Sequence, residues 1–346
     1  MDPHTHALYL PSLAVEAAAL AATCGDRRKA QSDAIEFLVF TRRQATMMAG
    51  VPQGRLPPLV LACLLATWVV WGSTYLAIKF ALTSFPPFFQ MGTRFVAAGA
   101  LLFAWSSWVR KAPLPSLRQW VHALIIGSLM LVCGMGGTAT AEKSIGSGVV
   151  VALIAVMPMM IAAINRLFGV RPARLELIGI AVGLCGVLLL VRGAEFRASP
   201  GGLAAMTVAC GGWALGSVLS QRRFVLAPGA MGYASEMLCG GLVLMALSRF
   251  TAEAPQWPPS AIAAAAWLYL LVFGSLVAFN AYMLLLSRTS AALASSYSFV
   301  NPIIALVLGV AVGGETVTPQ EWLAAGVVLA GVALLLWQRR APPRTA

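Results

Sequence analysis

Apolar stretches of about 20 residues, parted by short polar loops, run from Leu59 to Trp337, and each is long enough to cross the ~30 Å hydrocarbon core of a bilayer. The pattern predicts helices over 59–80, 87–108, 120–140, 146–165, 175–191, 202–220, 231–249, 261–286, 291–312 and 321–338. The linkers are rich in Pro, Gly and Ser, notably at 112–116, 197–201 and 256–260, as helix punctuation should be. The fold class this predicts is an all-α integral membrane protein with ten transmembrane helices.

The apolar segments also come twice. Trp71 leads to Lys79 as Trp213 leads, at the same distance, to Gln221. Gly99 matches Gly241, which places Arg94 and Glu236 at equivalent positions five residues earlier. Pro158 answers Pro302 inside later spans, and the run at 186–190 answers the run at 331–335. Four matches in order mark an internal repeat, dividing the chain into a first unit at 57–196 and a second at 197–338. Five crossings per unit is an odd number, so the second copy enters the membrane from the opposite face. Inverted repeats of this kind are the usual architecture of secondary transporters, with the substrate site where the halves meet near the midplane.

Composition and charge sharpen this picture. Hydrophobic residues make up 59% of the chain and charged ones 10%, against about 25% charged in a soluble domain. The formal net charge of +12 does not point to nucleic acid, because the cations alternate between loops. Arg55, Arg110, Lys111, Arg118, Arg166, Arg171, Arg174, Arg222, Arg223, Arg288, Arg339, Arg340 and Arg344 fall on one side, and Lys79, Lys143, Arg192, Arg197 and Arg249 on the other. The positive-inside rule then puts both termini in the cytoplasm, for a multi-pass protein of the inner (plasma) membrane with lipid as its surroundings. Residues 1–56 balance acids and bases and lack the basic start and clean apolar run of a secretory signal. They are expected to be a disordered arm, or an extension ahead of a start at Met47 or Met48, while 339–346 form a basic cytoplasmic tail.

Enzyme classes find little support. There is no HExxH, GxSxG or GxxxxGK[ST], so no metal site, catalytic residue, cofactor or built-in ATPase is expected. Cys63, Cys133, Cys185, Cys210 and Cys239 each stand alone in an apolar span, which suits small buried residues. Pairs such as Gly179/Gly183 and Gly212/Gly216 permit close helix approach. A homodimer through the fifth and tenth spans is compatible with that pattern.

With these residues in view the chain resembles a family. Trp71-Gly-Ser-Thr-Tyr, the Arg94 segment, Ala141-Glu142-Lys143, the run at 166–169 and the run at 313–316 are similar to the EamA-type branch of the drug/metabolite transporter superfamily, and within it to the bacterial YedA-like permeases. The resemblance covers about 57–338 as two tandem units. It implies ten helices in two inverted halves, alternating access, and efflux of a small metabolite, amino acid or drug. The alternative from another class is a non-transporting membrane scaffold or receptor subunit.

Charge at depth narrows the candidate site, since an ionisable group there costs at least ~2.5 kcal/mol unless it faces a partner or an aqueous cavity. Glu236 is the clearly embedded carboxylate, and desolvation makes its charging costly, as a proton-coupling group requires. Arg94 enters to similar depth from the other face. It is read as an anchor for an anionic substrate group or as a gate paired with Glu142, against the plainer alternative that it snorkels or caps carbonyls. Lys79, at a span end, reaches the interface or joins the pathway. Trp71, Ser73 and Tyr75 in the first span and Trp213 and Ser217 in the sixth are candidate cavity residues, as are Asn280, Tyr297 and Asn301. Interhelical hydrogen bonding is the plain alternative for the amides. Pro158 and Pro302 are hinge candidates, because each removes a helical donor.

Overall fold

A computed structural model describes residues 56–144, 150, 153–170, 172–190, 199–313 and 318–338. The N-terminal arm, apart from Leu56, and the basic tail lie outside the described residues. The chain folds as α1 (Pro58–Ala81), α2 (Pro87–Val109), α3 (Leu117–Ala141), α4 (Leu153–Leu167), α5 (Arg174–Leu190), α6 (Pro200–Arg222), α7 (Ala230–Phe250), α8 (Ala261–Arg288), α9 (Tyr297–Gly313) and α10 (Pro319–Gln338). Six of these, α1, α2, α3, α6, α7 and α8, are long and apolar enough to span a membrane by length and composition. The protein is thus an all-α, multi-pass membrane protein. Its outward faces carry Leu101, Leu188, Val208, Leu242, Leu268 and Leu329, all exposed, as helices bathed in lipid require.

The ninth predicted span needs correction. It is not one helix over 291–312 but a short helix, Ala291–Ala294, followed by a break at Ser295 and Ser296 and then α9. Ser290 caps the short helix by accepting from Leu293 N, while the Ser295 and Ser296 hydroxyls donate to the carbonyls of Ala292 and Leu293. Such local bonds offer the backbone an alternative to continuing the helix. The fourth span is interrupted by a turn at Val156, and Pro158 sits in the first turn of the segment that follows, where a missing N–H costs least. Pro302 lies inside α9.

Two antiparallel helix pairs organise the bundle. In α2/α7, a Cβ added to Gly99 would stand 2.9 Å from Leu238 N, and one added to Gly241 would stand 2.7 Å from Val96 N. In α5/α10, a Cβ on Gly186 would stand 2.6 Å from Val328 N and one on Gly331 2.5 Å from Gly183 N. Each repeat-matched glycine therefore packs on the residue three positions ahead of its counterpart. The two stretches of the chain thus meet through reciprocal glycine contacts. The small faces of α5 and α10 are used inside the chain, so a homodimer through these helices would have to use their outer leucine-rich surfaces.

Long π-helical stretches, unforeseen from the apolar pattern, interrupt α3 at Ser128–Gly136 and α8 at Leu270–Phe279. Their starts, Ser128 and Leu270, are as far apart in the chain as Gly99 and Gly241. π-Turns are rare and concentrate at functional sites.

Loops tie the ends together. The Glu253 carboxylate accepts from Phe88 N (3.1 Å) and Phe89 N (2.8 Å), satisfying donors at the start of α2 that Pro86, without a capping side chain, cannot. Gln256 N donates to Ser84 O at 2.8 Å, and at the opposite end of the bundle the His122 ring bonds Val225 O at 2.9 Å. Glu253→Ala should lower stability by about 1–2 kcal/mol, as loss of a cap combined with a charge–dipole contact does. Thermal unfolding of the purified protein checks this, and an unchanged midpoint would show that the cap contributes nothing.

Candidate functional site

α1, α2, α3, α4, α6 and α9 line a partly open cavity of about 60 Å³. Trp71, Thr74 and Tyr75 reach it from α1, Met91 from α2, Thr138 from α3, Met157 from α4, Trp213 from α6 and Tyr297 from α9. Trp71 and Tyr75 share a face because they are four residues apart. The cavity occupies the half of α1 that leads to Lys79 and the half of α3 that leads to Glu142.

Its inner wall is aromatic. The Trp71 ring meets Trp213 edge-on at 5.5 Å, Tyr297 at 4.6 Å and Tyr282 at 5.3 Å between centroids. Such pairs are each worth about 0.5–1.5 kcal/mol beyond the area they bury. A closed hydrogen-bond ring locks the cluster. Trp213 Nε1 donates to the Tyr282 hydroxyl (3.1 Å), and Ser217 Oγ lies 2.8 Å from that hydroxyl while donating to Trp213 O at 2.6 Å. Ser217 has one proton, already given to the carbonyl, so Tyr282 is the donor to Ser217. Trp71 Nε1 donates to Gly274 O at 3.4 Å, and the Tyr297 hydroxyl to Met157 Sδ at 3.4 Å.

Tyr282 is the main residue the sequence reading missed. It lies two positions after the candidate Asn280, hence on nearly the opposite face of α8. α8 is apolar on all sides, and its sequence offers no sign of which face looks inward.

The remaining candidates divide. Asn280 donates to Ser275 O and Leu276 O in its own helix, a bond within one helix where the plain alternative is a bond between helices. Asn301, oriented so that its nitrogen donates, reaches Tyr297 O (3.1 Å) and Trp68 O (3.0 Å), fastening α9 to α1. Ser73 bonds Val70 O and the Tyr269 hydroxyl, joining α1 to α8 outside the cavity. Lys79 is exposed at the end of α1. Glu142 is half-buried just past α3. Burial pushes its carboxyl up to about 8, and the nearby Lys79 charge pulls it back. Among the described residues Glu142 forms no ion pair with Arg94.

Arg94 and Glu236 stand behind the cavity wall. Arg94 is buried, with its guanidinium carbon 4.5 Å from the Phe95 ring centroid and Nε without a hydrogen-bond partner. Glu236 is fully buried, and neither carboxyl oxygen has a partner. The antiparallel register of α2 and α7 sets Arg94 about seven residues from Glu236, roughly 10 Å along the axis. They are not an ion pair. Gln90, one turn before Arg94, and Ser275 beside Gly274 are also buried with side-chain polar atoms unpartnered. Sequence reasoning passed over both. Among the described residues no group of three or more His, Cys, Asp or Glu could hold a metal ion.

The chain is thus a multi-helix membrane bundle with an aromatic-lined cavity. The EamA-like transporter family model matches the chain twice, at residues 58–192 and 200–337. The chain belongs to this family, which is one of transporters and not enzymes. It is 40% identical over 277 residues to the uncharacterised inner membrane transporter YedA of Escherichia coli K12, covering 80% of this chain and 90% of YedA. Protein PecM of Dickeya dadantii is 25% identical over 245 residues, covering 69% of this chain and 80% of PecM. A solved crystal structure, 19% identical, superposes with a TM-score of 0.65 over 82% of this chain and 96% of its own, a likeness of fold alone.

Proposed function

We propose that this chain is a secondary transporter of the inner membrane, built of two inverted five-helix units at 57–196 and 197–338, that exports a small metabolite, amino acid or drug by alternating access. The observation that carries the reading is the cavity that Trp71 and Tyr75 of the first unit build together with Trp213 and Tyr297 of the second. A site made by both units changes shape whenever one rocks against the other. At about 60 Å³ it is far below the ~300–1,000 Å³ of occupied ligand sites, which suits a constricted stage of such a cycle. The reciprocal glycine contacts of α2/α7 and α5/α10 support the inverted arrangement, and Pro158 and Pro302 are the proposed hinges. The cation distribution supports cytoplasmic termini, and the description of YedA as an inner membrane transporter supports the location. Glu236 is the proposed proton site, with Glu142 and Lys79 at the mouth.

Counterflow of a radiolabelled metabolite library in proteoliposomes tests this. At least one solute should exchange, and Trp213→Ala should reduce that exchange at least tenfold, since it removes an aromatic wall and opens the Tyr282 ring. No solute-dependent flux with any mixture would sink the transporter reading in favour of a scaffold.

A further inference from the structure

Three buried polar side chains without full partners, Gln90 and Arg94 of α2 and Ser275 of α8, lie on two helices that pack together. Gln90 and Arg94 lie four residues apart on one face of α2. Gln90 is fully buried with both amide atoms unpartnered, Arg94 is 2% exposed with Nε unpartnered, and Ser275 of α8 is fully buried with its hydroxyl unpartnered. Phe279, one turn after Ser275, packs against Phe95 with centroids 6.1 Å apart, so this face of α8 is turned to α2. A guanidinium remains charged in any protein environment. Isolating it from water without an anion costs several kcal/mol, and one contact with Phe95 offsets about 1–2 of these. Among the described residues Arg94 has no ion pair, and Glu236 lies beyond reach.

Gly274 joins this cluster to the cavity. A Cβ there would stand 3.5 Å from Thr74 Cγ2 and 4.0 Å from Arg94 Nη1, and Thr74 lines the cavity. The absent side chain leaves the guanidinium separated from the cavity by little more than a methyl group's width. Trp71 and Trp213 line the same cavity.

We propose that Gln90, Arg94 and Ser275 form an anion subsite that receives the carboxylate of a small amphipathic organic acid, with its apolar or planar portion against Trp71 and Trp213. The proposal rests on the transporter reading and names its substrate class. Arg94 presents a planar fork of donors that fits a carboxylate bidentately, while the Gln90 amide and the Ser275 hydroxyl donate to the remaining lone pairs. A neutral or cationic head would leave these donors unpaired, and a site with unpaired buried donors rejects such analogues strongly.

The test titrates the purified full-length protein in detergent with acetate, 3-phenylpropionate and indole-3-acetate and with the amide of each, reading Kd by calorimetry. 3-Phenylpropionate and indole-3-acetate should each bind at least tenfold more tightly than their amides. Arg94→Gln should erase that preference and Arg94→Lys should restore part of it. Should Arg94→Gln not fold, Gly274→Ala is the second variant. Its methyl meets only ordinary contacts and favours the helix, yet covers the guanidinium, so acid affinity should fall at least fivefold with unfolding temperature preserved. The proposal is overturned if no acid outperforms its amide, or if either variant folds and keeps the preference. These outcomes are independent of flux: counterflow of neutral or cationic solutes without acid preference removes the subsite alone, whereas acid binding without flux of any solute removes the transporter reading and leaves the subsite.

Discussion

Glu236→Gln is expected to abolish proton coupling while leaving the fold and solute exchange in place. In proteoliposomes the wild type should accumulate substrate under an imposed pH gradient. The variant should equilibrate it by counterflow but not concentrate it. The reasoning starts from burial: the carboxyl is fully enclosed with neither oxygen hydrogen-bonded, and an unpaired charge in such a place costs several kcal/mol. Gln keeps the shape and removes the exchangeable proton. Wild-type coupling in Glu236→Gln, or its loss in Glu142→Gln instead, would move the proton site to the cavity mouth. There burial has already brought the Glu142 carboxyl to about 8.

The second large effect is structural. Gly241→Val should leave no folded protein, because the new Cβ would stand 2.7 Å from Val96 N and 3.1 Å from the Phe95 carbonyl carbon. Neither is a side-chain tip that can swing aside. Overpacking costs about 1–3 kcal/mol when side chains can yield, and here two backbones must separate. α2 and α7 carry Arg94 and Glu236, so their crossing also sets the relation between the two buried charges. Gly326→Ala is the control: its Cβ meets nothing within 4 Å, and replacing a helical glycine should be neutral or stabilising by up to about 1 kcal/mol. A monodisperse Gly241→Val with an unchanged unfolding temperature would contradict the packing account.

Much of the frame was legible in the chain. The ends of the six long helices fall within a few residues of the predicted ones, because lipid demands long apolar runs and water-facing loops demand Pro, Gly and charge, whereas the ninth span breaks at Ser295 and Ser296. The repeat alignment identified Gly99, Gly241, Gly186 and Gly331, all of which lie at closest approach between helices. The same reading picked Trp71, Tyr75, Trp213 and Tyr297, which line the cavity, and Ser217, which closes the ring behind Trp213. Asn280 and Ser73 turned out to satisfy their own helix or a neighbour, and Asn301 fastens α9 to α1. A polar side chain in a span must find a partner, but nothing in the chain distinguishes a carbonyl one turn away from a cavity. Tyr282, Gln90 and Ser275 escaped notice for the converse reason, each being an unremarked polar group in an apolar run whose inward face was unknown.

The sequence by itself determined the membrane class, the six long apolar helices and the identity of the buried Arg94 and Glu236. These follow from local composition and spacing, which the bilayer reads one segment at a time. Only the tertiary structure decided that Arg94 and Glu236 stand apart, that Tyr282 ties Trp213 to Ser217, and that Gly274 leaves a gap before the guanidinium. Those relations depend on how each helix is rotated about its axis, and where lipid and protein interior are equally apolar that rotation is set by packing between helices.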